Sequence, residues 1–152
     1  MATFEYKITS KLVSNDEIVC NAPVIAARYL ADRCFDQDSM HEESAFVLLL
    51  DKSCHLQGFS RISTGCADSC TIDARKVAQI ALLAGAAKVI IAHNHPSGNV
   101  APSQADIAQT DKVKKALSIV GIDLVDHIIM APDMLTFFAF SAEKKGMLQK
   151  AA

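Results

Sequence analysis

Apolar positions along the chain change period several times, and each change marks an element. Residues 1–20 alternate only weakly between polar and apolar, which fits an edge strand or a tail. From Asn21, read as a helix cap, Val24, Ile25, Arg28, Tyr29 and Leu30 follow helical spacing to about Cys34. The polar stretch DQDSMHEES closes that helix and leads into AFVLLLD, a short apolar run ended by a turn at Asp51, Lys52 and Ser53. Such a run predicts a buried strand, and a second strand over Cys54 to Ile62 would pair with it as a hairpin. STGCADSCTID reads as a loop, after which Thr71 or Asp73 caps a helix that carries Val77, Ile80, Ala81 and Ala84 to about Ala87. A strand from Lys88 to Ala92 follows. Beyond the loop HNHPSGNVAP, Ser103 and Asp106 open the clearest helix of the chain, with Ile107, Val113, Leu117 and Val120 in phase until Gly121 stops it. IDLVDHIIMA is a further buried strand, APDM a turn, LTFFAF a last short strand and SAEKKG a charged tail. Helices alternating with strands in the centre, between hairpins, predict an α/β fold with a mixed sheet and flanking helices.

Composition narrows the setting of this fold. The chain has 152 residues, 51% of them hydrophobic, enough for one sizeable core and read as a single domain over 1–152. A formal net charge of -2 lacks the basic footprint of a nucleic-acid binder; Lys112, Lys114 and Lys115 cluster, but beside Asp106 and Asp111, as on a solvated helix face. No segment reaches the roughly 18 apolar residues of a membrane span, and the first 20 residues lack the pattern of a signal peptide, so the expected location is the cytoplasm. Five cysteines make no even-numbered framework and are expected as thiols. Cys66 and Cys70, spaced C-x3-C, form a candidate metal pair that lacks a second pair nearby.

The chemistry concentrates in HNHPSG, where a buried strand ends on two histidines one residue apart. On an extended segment, side chains two apart share a face, so His93 and His95 can converge on one ion while Asn94 points away. Imidazole suits zinc, and a catalytic zinc takes three protein ligands and an open position. Asp106, in the first turn of the next helix, is the candidate third ligand, because Pro96, Gly98 and Pro102 can fold the loop back and the helix dipole favours a carboxylate there. Each feature also has a purely structural reading: an H-x-H pair as two loop histidines, and S-x-x-D as a capping box. Their combination at the C-terminal end of a buried strand, where α/β sheets place ligands, is what favours a site.

His93, His95, Pro96, Ser103 and Asp106 together spell H-x-H-P, seven residues from the second His to a Ser, then S-x-x-D. This resembles the JAMM motif of JAB/MPN-type zinc metallopeptidases, whose sheet and helices are layered as in cytidine deaminases. The longer string AHNHPSGNVAPSQADIAQT, with ARKV before it and VDHIIM after it, resembles the bacterial RadC family within that superfamily, over about Ile8 to Met147. Two departures stand out: the N-terminal helix-hairpin-helix module of many RadC proteins is absent, which weakens a DNA-binding inference, and Asp73-Ala74 replace a His-Pro before Arg75. The resemblance implies Zn2+ on His93, His95 and Asp106. It also implies a catalytic glutamate at the head of the first core strand; counting back from LLLD selects Glu43 over Glu42, since adjacent strand residues face opposite ways. Glu43 would then act as general base and acid in amide hydrolysis, while Ser103, besides capping its helix, would polarise the scissile carbonyl or its oxyanion. Asn94 is expected in a loop or supporting role, and His127 as a structural histidine of a core strand, with support of a metal ligand as its alternative.

Other motifs fit worse. HNH nucleases spread their residues over a ββα unit, zinc deaminases require H-x-E and P-C-x-x-C, and no glycine pattern for phosphate occurs. Two functions of different class follow: a zinc-dependent peptidase or isopeptidase-like hydrolase, or a metal-stabilised non-hydrolytic module linked to DNA repair or mobile elements. The corresponding partners are a peptide or protein substrate, with nucleic acid weakly supported, no membrane, and a second copy of the chain left open.

Overall fold

The computed structural model describes residue 3 and residues 9–64, 72–143 and 149–150. Cys66, Cys70 and Thr71 lie outside the described residues. The elements run in the order α1 (Pro23–Tyr29), β1 (Ser44–Leu50), β2 (Leu56–Thr64), α2 (Ala74–Ala84), β3 (Lys88–Asn94), α3 (Gln104–Ile119), β4 (Asp123–Met130), β5 (Thr136–Ala139), α4 (Phe140–Glu143) and β6 (Gln149–Lys150). They build one mixed sheet in the order β2-β1-β3-β4-β5-β6. Only β3 and β4 are parallel, joined through α3, and the other neighbouring pairs are antiparallel.

Helices cover both faces of this sheet, which explains why β1 is apolar at almost every position. Phe46, Leu48 and Leu50 pack with Ala26, Ala27 and Leu30 of the α1 region, together with Ile90, Ile128 and Phe137. The alternate residues Ala45, Val47 and Leu49 face the other way, onto Val77 and Ala81 of α2 and Val113 and Leu117 of α3. β1 and β3 are therefore buried on both sides, and the end of β3 is held rigidly between β1 and β4.

Several boundaries differ from the sequence pattern. Asn21 is not the cap of α1: that position is Ala22, without a side-chain bond, and Pro23 starts the helix, where a missing N–H costs nothing. A wide helical turn, Leu30–Cys34, carries α1 on to the expected end. Asp73, not Thr71, caps α2 by accepting from the Arg75 N–H, and the helix ends at Gly85, whose φ of 67° places it in the left-handed region. The strand expected as the last one runs only from Thr136 to Ala139 and is followed by β6, which pairs with it; Phe140, expected to be its last residue, opens α4 instead. The reason lies fifteen residues earlier in the chain: Asp126 accepts from both the N–H and the hydroxyl of Ser141 and draws the chain into a turn. Among the described residues before Ile18 no strand forms; one bridge, Val19 to His55, ties this segment to the sheet.

Candidate metal centre

β3 reaches two residues further than its apolar run, because the ladder to β4 continues through His93 and Asn94. The His95 N–H extends that ladder by one more bond, to the Met130 carbonyl at 2.9 Å. His93 and His95 thus stay in extended phase and their rings lie edge to face, with centroids 4.8 Å apart. The chain then turns at once: the Gly98 N–H donates to the His95 carbonyl, with Pro96 in the second turn position and Gly98 at φ 78°. Val100 packs into a small apolar cluster with Ile129 and Phe138, which brings Ser103 to the start of α3 beside the end of β3.

At that start Ser103 and Asp106 form a reciprocal capping box. The Asp106 N–H donates to Ser103 Oγ at 3.1 Å, while the Ser103 N–H and hydroxyl both donate to Asp106 Oδ2 at 2.7 Å. The cap does not exhaust the carboxylate. Its Oδ1 lies 3.1 Å from His93 Nε2 and its Oδ2 3.4 Å from His95 Nε2. One ligand atom from each of His93, His95 and Asp106 falls within 4.8 Å of the others, so the three could hold a metal ion. The structural reading of S-x-x-D does not exclude the functional one, since the carboxylate that caps the helix also faces the histidines.

The donor set fits a cation on chemical grounds. His95 Nδ1 sits 2.7 Å from the Asn99 carbonyl, which can only accept, so Nδ1 carries a proton and a neutral His95 presents a bare Nε2 lone pair. That lone pair faces the Asp106 carboxylate and His93 Nε2, 2.9 Å away. Acceptors meeting this closely repel unless a proton or a metal ion lies between them. Contact with Asp106 accordingly raises the His95 pKa above the usual imidazole value, against the opposing effect of burial. Burial pushes the Asp106 carboxyl up, but the polar contacts with His93, His95 and Ser103 outweigh it and hold the group well below the usual carboxylate range.

Glu43 stands immediately before β1, half-buried, and its charge acts on the His95 imidazole. Glu42 is exposed and pairs at 3.9 Å with its neighbour His41. What aims this segment is Asn94, whose side chain is fully buried on the opposite face from the histidines. Its Oδ1 accepts from the Ser44 N–H at 2.7 Å, and its Nδ2 donates to the carbonyls of Glu42 at 2.9 Å and Met40 at 3.3 Å. A loop or supporting role was all that the sequence indicated for Asn94; the fold makes it a clamp on the strand head that bears Glu43.

His127 is also more than a core histidine. It is fully buried, stacked at 4.9 Å on Phe140, with Nε2 2.8 Å from His93 Nδ1 and Nδ1 2.6 Å from Thr110 Oγ1. Burial keeps its pKa well below the ordinary imidazole value. Thr110 escaped the sequence reading altogether. The available signal was its spacing, four residues after Asp106 and so on the same face of α3.

Comparison with known proteins places the chain in a family. The family model described as a RadC-like JAB domain matches residues 20–147. A UPF0758 protein of Vibrio cholerae is 34% identical over 149 residues, covering 90% of this chain and 94% of its own length. A UPF0758 protein of Actinobacillus pleuropneumoniae is 38% identical over 118 residues, covering 76% of this chain and 53% of its own. One of Marinomonas is 45% identical over 84 residues, or 55% of this chain and 38% of its own. The chain thus spans about half the length of some of these relatives or less, and nearly all of another. With the family model covering all but the ends, and the H-x-H, Ser and Asp brought together at one strand end, the chain belongs to the RadC-like JAB domain family.

Proposed function

We propose that this domain is a zinc-dependent hydrolase of the metallopeptidase type, acting on an amide bond in a peptide or protein. The observation that carries the reading is the convergence of His93, His95 and Asp106 at the end of β3. Two imidazoles and one carboxylate match a catalytic zinc set, which keeps a further position open. A bound zinc ion would supply a water acidified far below its bulk value, to a pKa of about 7, and a Lewis acid for the carbonyl. Glu43, at the head of β1 and coupled to His95, takes the proton of the attacking water and returns it to the leaving amine. Ser103 orients the Asp106 carboxylate; to polarise a substrate carbonyl, its hydroxyl has to turn its proton away from Asp106 Oδ2.

The test is metal content followed by hydrolysis. Purified protein is expected to carry about one zinc per chain, and His95→Ala to lose it. Glu43→Gln is expected to keep the metal and lose cleavage of a quenched-fluorescent peptide library. Equal zinc in wild type and His95→Ala would overturn the ligand set, and loss of zinc in Glu43→Gln would make that residue a ligand. A zinc-loaded wild type that cleaves no member of the library would replace the hydrolase with a metal-stabilised interaction module.

A further inference from the structure

His95 has its tautomer set by one backbone carbonyl, that of Asn99. His93 has no such carbonyl on its Nδ1; it has another histidine. An imidazole can donate or accept there, so something further along must decide which. We propose that His127 and Thr110 are positioning residues that hold His93 with its proton on Nδ1 and its Nε2 lone pair toward His95 and Asp106, through a one-way chain of hydrogen bonds ending on the Asp106 backbone carbonyl. The inference rests on the metal-site reading given above.

The direction follows from counting protons from the far end. The Asp106 carbonyl only accepts, and the Thr110 hydroxyl, its single proton committed there at 2.6 Å, is an acceptor toward its other neighbour. That neighbour is His127 Nδ1 at 2.6 Å, which therefore carries a proton. A neutral imidazole has one N–H, so His127 Nε2 is bare. His93 Nδ1, 2.8 Å away, must then be the donor, and His93 Nε2 is left as the lone pair. The chain closes on itself: it begins at one ligand, His93, and ends on the backbone of another, Asp106, one helical turn before Thr110. The rings cannot swing out of it, because His127 is fully buried and stacked within 6° of parallel on Phe140. Run in the opposite sense, the same contacts would put a proton on His93 Nε2, pointing at Asp106, and a metal ion would have to displace it. Partners that fix the tautomer of a metal-binding histidine typically govern metal affinity by 10–100-fold.

Thr110→Val removes the acceptor while keeping the shape, and Thr110→Ser restores the hydroxyl. Zinc affinity of each full chain, measured by competition with a chromophoric chelator, is expected to be 10–100-fold weaker for Thr110→Val and within threefold of wild type for Thr110→Ser. Ring 15N shifts of the zinc-loaded wild type are expected to show His93 protonated at Nδ1 and His127 at Nδ1. Equal affinity in wild type and Thr110→Val, or zinc on His93 Nδ1, would overturn the proposal. Should Thr110→Val fail to fold, Thr110→Ala, which removes the hydroxyl without new bulk, is read in its place. Wild-type protein that takes up neither zinc nor cobalt would instead overturn the site itself, a result legible from wild type alone.

Discussion

Replacing Asn94 by alanine removes the clamp between the end of β3 and the segment leading into β1. Three hydrogen bonds go at once, at 2.7, 2.9 and 3.3 Å, all made by a side chain with no exposure to water. Their partners do not fare equally. The Ser44 N–H and the Met40 carbonyl belong to buried residues, so each is left unpaired, at about 1–3 kcal/mol apiece; Glu42 is exposed and its carbonyl can find water. Two stranded groups and a small cavity give a loss of about 3 kcal/mol, which for a chain of this size lowers the melting temperature by roughly 6–12 °C. Urea unfolding of the metal-free protein measures the free energy, and hydrogen exchange at the Ser44 amide localises it. Asn94→Asp sharpens the test. Its Oδ1 can still accept from Ser44, but the second oxygen then faces two carbonyls, which raises the folded-state pKa above the unfolded value of about 3.9. A raised carboxyl pKa contributes stability at low pH that is lost as pH rises through the folded value, so the Asn94→Asp penalty is expected to be large at pH 7 and to shrink on acidification toward pH 4. A loss below about 1 kcal/mol for Asn94→Ala, with Ser44 still protected, would refute the clamp.

Three further outcomes follow from the same structure. Iodoacetamide at pH 8 is expected to modify half-exposed Cys54 well before Cys20 and Cys34, whose thiols burial pushes up to about 11 and about 12, and peptide mass mapping reads the order; Cys34 reacting as fast as Cys54 would contradict the packing. Leu48→Ala, at a fully buried position of β1, is expected to cost about 2–5 kcal/mol in urea unfolding, and a cost under 1 would mean that the α1 face of the sheet is loosely packed. Glu42→Gln breaks an exposed pair at 3.9 Å, so stability within about 0.5 kcal/mol of wild type is expected, with zinc content and any peptide cleavage unchanged; loss of cleavage with zinc retained would show that the wrong glutamate was assigned to the site.

Much of this protein could be read from local pattern, because the signals involved are local. Period-two and period-3.6 spacing reflects which faces are buried, and it located β1, α2, β3, α3 and β4 to within a few residues. The H-x-H pair and S-x-x-D are likewise short-range, each generated within a strand or within one helical turn. The cap of α1 was set by another local signal, Pro23 at the helix start, whereas the end of β5 was decided at a distance, by bonds that Ser141 donates to Asp126, fifteen residues apart in sequence. Only the tertiary structure could bring Asn94 onto the Met40–Ser44 segment, some fifty residues earlier, or stand His127 and Thr110 behind His93. Those contacts depend on strand order and register: β3 lies between β1 and β4, with Ile91 opposite His127, and nothing in the spacing of one segment specifies the neighbour of another. The ligand residue types are a property of the chain; their orientation, and the hydrogen bonds that decide which nitrogen is bare, belong to the fold.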